Sequence, residues 1–208
     1  MTKLDFQQSW ALFEMSLNCA IIFIYLYARF VNPTVFIKQK LLVCFILVNA
    51  FFWPCAFLQL PVAGYVRGVT GDLSVMTSLL LWSYFFSPTT ARMTDFSKYF
   101  CQSGVVLVAL CFYPCALGLS MIDPYAWGYG SLIFLAAMIS IGFCMWLAKW
   151  NRLVILLALS LLAWCFSLHE STNLWDYLLD PFLASWCIVS LLRYFFHRAK
   201  IRLNQAIN

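Results

Sequence analysis

HESTNLWDYLLDP, residues 169–181, is the longest polar interruption in the later part of the chain. It holds one of the two histidines and three of the eight carboxylates in a sequence that is otherwise almost continuous hydrocarbon. Two shorter interruptions share its character, VRGVTGDLS at 66–74 and IDPYAWGYG at 122–130. We read all three as lying on one face of a membrane, the face turned away from the cytosol.

Composition sets that frame. Sixty-four per cent of the 208 residues are apolar and 10% are charged, against roughly 25% charged in a soluble domain. Such a chain cannot cover itself with polar surface, so lipid is the expected solvent. The expected fold is an all-α integral membrane protein, a single helical domain over residues 1–208 with about seven transmembrane helices. The expected spans are about 8–30, 41–60, 72–86, 99–121, 125–148, 153–168 and 181–196, with a short basic tail at 197–208. Asn32-Pro33, Pro61 and Ser87-Pro88 stop the first three, and Pro114 is a natural kink in the fourth. The first segment carries Glu14 and no small-residue cleavage site follows it, so it reads as a span and not as a cleaved signal.

Seven spans put the termini on opposite sides, and charge assigns the sides, because Lys and Arg are retained in the cytosol. Arg29, Lys38, Lys40, Arg92, Lys98, Lys149, Arg152, Arg193, Arg198, Lys200 and Arg202 fall on one side, eleven of the thirteen basic residues. Seven of the eight carboxylates, all but Asp95, fall on the other. The N-terminus is therefore expected outside and the C-terminus in the cytosol. Trp10, Trp82, Trp127, Trp150, Trp175 and Trp186 sit near span ends, as an aromatic belt would. The inner basic charge suits anionic head groups, and no basic domain protrudes to suggest nucleic acid.

Four outer carboxylates have a structural explanation. Asp5, Asp72, Asp123 and Asp180 lie at the starts of expected helices, where Asp accepts from free N–H groups and complements the dipole. Pro124 and Pro181 follow two of them, at the first helical position. Asp5, Asp72 and Asp180 are read as caps; Asp123 is kept as a site residue as well.

The remaining outer polar residues form the expected site: Glu14, Asn18, Asn49, Arg67, Asp123, His169, Glu170 and Asp176. Glu14 lies nine residues past Asp5, roughly 13 Å into the first helix. Gln7, Ala11, Asn18 and, further down, Tyr25 share its stripe, and a carboxylate at that depth needs a partner or a wet cavity. Asn49 and Arg67 are the expected partners. Arg67, between Gly68 and a run of apolar residues, is read as an ion pair with Asp72 or Asp123, or as a phosphate ligand. His169 and Glu170 read as a solvated helix end. LWDYLL at 174–179 reads as an interfacial turn, with Trp175, Leu178 and Leu179 in lipid and Asp176 in water.

Several activities fail on residues. The last span has no lysine for a retinal Schiff base, and His169 and His197 lie on opposite faces, which excludes paired haem ligation. Ser131 in GYGSL lacks the rest of a serine-protease motif, and no P-loop, HExxH or dinucleotide fingerprint occurs. The nine cysteines fall in or beside apolar segments without CxxC or metal spacing. No metal or cofactor is expected.

The preferred reading is a non-enzymatic multi-pass component, an accessory subunit or scaffold, placed in a bacterial inner membrane with a role in cell-envelope assembly. Its outer loops would engage lipid head groups or another membrane protein. One alternative is a small carrier or flippase built on Glu14, and another is an enzyme acting on lipid head groups at the outer face.

Overall fold

The computed structural model of the protein describes residues 3–30, 37–54, 58–86 and 95–207. The expected stops at Asn32-Pro33 and Ser87-Pro88, together with Arg92 and Cys55, lie outside the described residues. The chain is all-helical, 82% helix, with no strand among the described residues.

Nine α-helices follow in order among the described residues: α1 (Lys3–Phe30), α2 (Ile37–Phe52), α3 (Val62–Thr70), α4 (Val75–Phe86), α5 (Asp95–Pro114), α6 (Leu132–Leu147), α7 (Asn151–Cys165), α8 (Trp175–Leu178) and α9 (Pro181–Ile207). A π-helical turn, Cys115–Leu119, continues α5, and a 3-10 turn, Tyr125–Gly128, precedes α6. The expected kink thus takes the form of a widened turn directly after Pro114, interrupted at Gly118, whose φ is 82°.

α1 buries one stripe, Gln7, Ala11, Glu14, Met15, Asn18 and Ile21, at the spacing of a single helical face. Its lower half, Ala20, Ile21 and Ile24, packs with Cys44 of α2 and with Trp82 and Phe85 of α4. A second cluster joins the other side of the bundle: Val75 of α4, Phe134 of α6, Ala163 of α7, and Leu174 and Tyr177 around α8. The twelve-residue α4 is the shared wall, packed by α1 and by α7. α5 and α9 pair along their lengths, with Tyr99 stacked on Tyr194 at 3.9 Å between ring centroids.

The α6–α7 hairpin closes through Lys149, held at φ 61°, with Trp150 N donating to Met145 O at 2.9 Å. The far end of α7 closes the same way through Ser167 at φ 51°, with Leu168 N donating to Ala163 O at 3.0 Å. Both are left-handed helix caps carried by a non-glycine residue.

Several expected boundaries move. The second helix ends at Phe52, eight residues before Pro61's predecessor, and the stretch 62–70, expected to be partly loop, is helix α3. The fifth expected span begins at Leu132, not at 125, because Ser131 supplies the cap through Phe134 N (3.4 Å). The third begins at Val75, capped by Ser74 Oγ, which accepts from Thr77 N at 3.2 Å. The last helix runs on through the basic tail to Ile207.

Two segments, 5–30 and 96–119, are long and apolar enough to cross a membrane. α2, α6 and α7 are apolar but only 15 or 16 residues long, about 24 Å at 1.5 Å per residue. The bundle wears hydrocarbon outward all the same: Leu132, Ile133, Leu110, Phe196 and Phe45 are each more than 60% exposed.

Candidate functional site

The three polar interruptions meet at one end of the bundle. Arg67 Nη2 donates to Glu170 Oε1 at 2.9 Å, joining the first to the third. Ser74 N donates to Asp180 Oδ2 at 2.7 Å, a second tie between the same two. The second interruption is tied in by Asn173 Nδ2, which donates to Tyr125 O at 2.9 Å, and by the Tyr125 hydroxyl, which donates to Asp176 Oδ2 at 3.0 Å. Leu174 N reaches Gly128 O at 2.9 Å. Gly128 is required there, since a Cβ would overlap Asn173 Oδ1 and crowd Trp175.

Within the 169–181 segment the stretch 174–179, expected as an interfacial turn, packs inward, with Trp175, Leu178 and Leu179 partly buried. Trp175 lies between Phe112 and Phe134, at 4.4 and 4.6 Å between centroids, and its Nε1 donates to Pro124 O. Leu174 and Tyr177 are fully buried, and Leu178 packs on the same cluster. Asp176 is held by Tyr125 and by Ser171 Oγ instead of facing water alone.

His169, expected as a solvated end, is 3% exposed and is the partner of Glu14. Its Nε2 lies 2.9 Å from Glu14 Oε2. The imidazole stacks on the Tyr177 ring at 4.9 Å, and His169 N donates to the Tyr177 hydroxyl at 3.1 Å. Gln7 of α1 supports the segment from below, donating to Ser167 O (2.7 Å) and His169 O (3.1 Å). Burial lowers the His169 pKa, but the hydrogen bond and charge of Glu14 outweigh it, so the net direction is upward from the ordinary 6.5.

The expected partners of Glu14 are placed elsewhere. Asn49 is on an exposed face of α2 and donates to Phe45 O within its own helix. Arg67 grips Asp72 with both Nε and Nη2 and shares Nη2 with Glu170, which raises its pKa, Asp72 first among the causes. Of the two expected ion-pair partners the geometry selects Asp72, so Asp72 is not the cap of α4. Asp123 caps the 3-10 turn, accepting from Tyr125 N (3.0 Å) and Ala126 N (3.3 Å). Asp180 caps α9, accepting from Leu183 N at 2.6 Å. Asp5 lies within the first turn of α1.

Asn18 does lie on the Glu14 stripe, and both the nitrogen and the oxygen of its amide are engaged. Its Nδ2 donates to Ser78 Oγ at 2.9 Å, and Trp82 Nε1 donates to its Oδ1 at 2.7 Å. Trp82, expected in an interfacial belt, is thus tied into the α1–α4 seam. Sequence reasoning missed Ser78 and Trp82 as parts of this seam, and Tyr177 as the ring stacked on His169. The available signal was the Asn18–Glu14 stripe, which called for polar groups on whichever helix faced it.

Two cavities adjoin Glu14. One, of about 10 Å³, is lined by Ala11, Glu14, Met15, Asn18, Asp72, Leu73 and His169, room for about one water-sized group. The other is an apolar groove of about 210 Å³ between α1, α4 and α7. Trp10, Val75, Leu79, Trp82, Leu159, Leu162, Ala163 and Phe166 form its walls, and Glu14 is at its edge. Glu14 Oε1 is buried with no hydrogen-bond partner among the described residues. Among those residues no three His, Cys, Asp or Glu side chains converge as a metal would need.

No family model, curated protein or solved structure matches this chain.

Proposed function

We propose that the protein is a non-enzymatic multi-pass membrane component that holds a lipid in the groove between α1, α4 and α7. The observation that carries this reading is the groove itself: about 210 Å³, walled by apolar side chains, with one carboxylate at its edge. Apolar walls with few polar groups are the usual character of a small-molecule site. The outward hydrocarbon surface supports a membrane setting. Two helices are long and apolar enough to cross a membrane, and the proposal extends crossing to the other five of twelve residues or more among the described residues. The sorting of Lys and Arg supports an outside N-terminus and a cytosolic C-terminus. The shorter helices fit a locally thinned bilayer, at a modest cost per ångström.

The outer carboxylates favour a binding component over an enzyme. Asp123 and Asp180 cap helices, Asp72 and Glu170 hold Arg67, and Asp176 holds Tyr125 and Ser171. These are structural uses. The bacterial inner membrane, a membrane-protein partner and a role in cell-envelope assembly extend this proposal. A carrier is the second reading, favoured by Glu14 lining both the polar void and the apolar groove.

Leu162→Trp tests the groove, because Leu162 is half-exposed at its wall and a larger ring would fill it. Native mass spectrometry of protein released from mild detergent should show a bound lipid on the wild type and none on the variant. Equal lipid occupancy on both would overturn the groove as the binding site.

A further inference from the structure

Away from the polar interruptions, the other end of the α5–α9 pair carries two cations braced on stacked rings. Tyr99 of α5 stacks on Tyr194 of α9 at 3.9 Å between centroids and 28° between planes. Lys98 Nζ lies 5.2 Å from the Tyr99 centroid, and the Arg198 guanidinium carbon lies 5.3 Å from that of Tyr194. Both distances are within the range at which a ring face attracts a cation. The two cations belong to helices far apart in sequence, so it is the fold that gathers them.

Neither is answered by a carboxylate. Among the described residues Lys98 and Arg198 form no ion pair. No acid follows Asp180 in the chain, and Asp95 is the one acid assigned to this side, against eleven basic residues. Each cation also stands at an apolar boundary. Lys98 is at the start of the apolar segment 96–119, and Arg198 comes just after Phe195 and Phe196. Phe96, Phe100, Phe195 and Phe196 are 60% to 75% exposed. In a membrane this is the depth where head groups meet hydrocarbon, and where long basic side chains extend into the charged layer.

These features restrict the occupant. A zwitterionic head group would bring its own ammonium against the two cations. An acidic protein would answer the charge and leave the four phenylalanines unmatched. A lipid with net negative charge meets both, with its head on the cations and its chains on the rings. Resting on the membrane reading above, we infer that this corner is a head-group site for an anionic phospholipid of the cytosolic leaflet, with Lys98 and Arg198 facing its charge and its acyl chains lying along the exposed phenylalanines. The tyrosine stack holds the cations in place beforehand, so less side-chain freedom is lost when the lipid arrives.

Photo-crosslinking of the full chain in phosphatidylcholine vesicles tests this. Trace probes of phosphatidylglycerol and phosphatidylcholine carry the same diazirine-bearing acyl chain, and labelled peptides are mapped. Each basic side chain near an anionic surface is worth about fivefold in affinity. The phosphatidylglycerol probe should therefore label the peptides holding Phe96, Phe100, Phe195 and Phe196 roughly twentyfold more than the phosphatidylcholine probe. Lys98→Ala with Arg198→Ala should bring the two probes to near parity there, while labelling at Leu132 and Ile133 stays unchanged. Arg29→Ala with Lys40→Ala removes equal charge from the same side and should keep the preference. Equal labelling of the wild type by both probes would overturn the inference and leave the membrane reading standing. An equal loss in the Arg29 and Lys40 variant would overturn it too, since diffuse charge would then be the cause. Displacement of the phosphatidylglycerol probe by soluble polyglutamate would give the corner to an acidic protein instead. If neither probe labels any exposed apolar face, the membrane reading itself fails.

Discussion

Glu14 and His169 are separated by 155 positions in sequence and by 2.9 Å in space, and both are buried. The contact ties the first helix to the last polar segment. Breaking a buried pair from one side leaves an uncompensated group, so His169→Ala should cost about 3 kcal/mol. Thermal unfolding in detergent measures it, with His169→Gln as the milder variant that keeps a donor.

The same pair gives a pH dependence. The His169 pKa is raised in the folded protein above 6.5, with Glu14, Asp72, Arg67 and the stacked Tyr177 around it. The stabilisation is fully present below 6.5 and is lost as pH rises through the higher folded value. A melting-temperature profile should fall across that window in the wild type. Glu14→Gln should flatten it; an unchanged slope would remove the pair as its source.

Arg67 binds two carboxylates at a partly exposed surface. Such a network is worth little in water, so Arg67→Ala should cost about 1 kcal/mol, with the wild-type advantage shrinking in high salt. Arg67→Lys should recover only part, because an ammonium cannot grip Asp72 with a two-pronged fork. Chemical denaturation at two salt concentrations reads both effects.

Gly128→Ala should be the most damaging small substitution. Its new methyl would meet Asn173 Oδ1 and Trp175, which hold the 169–181 segment in place. The expected loss is about 3 kcal/mol from overpacking and a broken hydrogen bond. Trp fluorescence should shift as Trp175 leaves Phe112 and Phe134. Gly68→Ala, with open space around it, is the control.

Orientation is testable in cells. On a cysteine-free background, Asp123→Cys should react with an impermeant maleimide in intact cells, and Arg198→Cys only after permeabilisation. The reverse pattern would invert the proposed topology.

The sequence was informative where polarity had one physical outlet. The helical class followed from hydrocarbon content, and Glu14's need for company followed from its depth in α1. Asp180 at the start of α9 and Arg67 against Asp72 were readable because cap and ion pair are local. His169 was not, because a helix-end histidine looks the same whether it meets water or a residue 155 positions away. The inward-packed stretch 174–178 was misread for a related reason. When lipid surrounds a protein, an apolar side chain fits protein and solvent equally well. Leu174 and Trp175 therefore carry no sign of which they face. Helix α3 was hidden by its glycines and arginine, which suit a loop as well as a nine-residue helix packed against α1.

The long separation between Glu14 and its imidazole partner has a consequence for biogenesis. A ribosome adding about 5–20 residues each second needs roughly ten to thirty seconds to make the intervening chain. Throughout that interval the first helix lacks the imidazole that Glu14 meets in the folded chain. The packing of the opening helix is thus completed only once the 169–181 segment has been made.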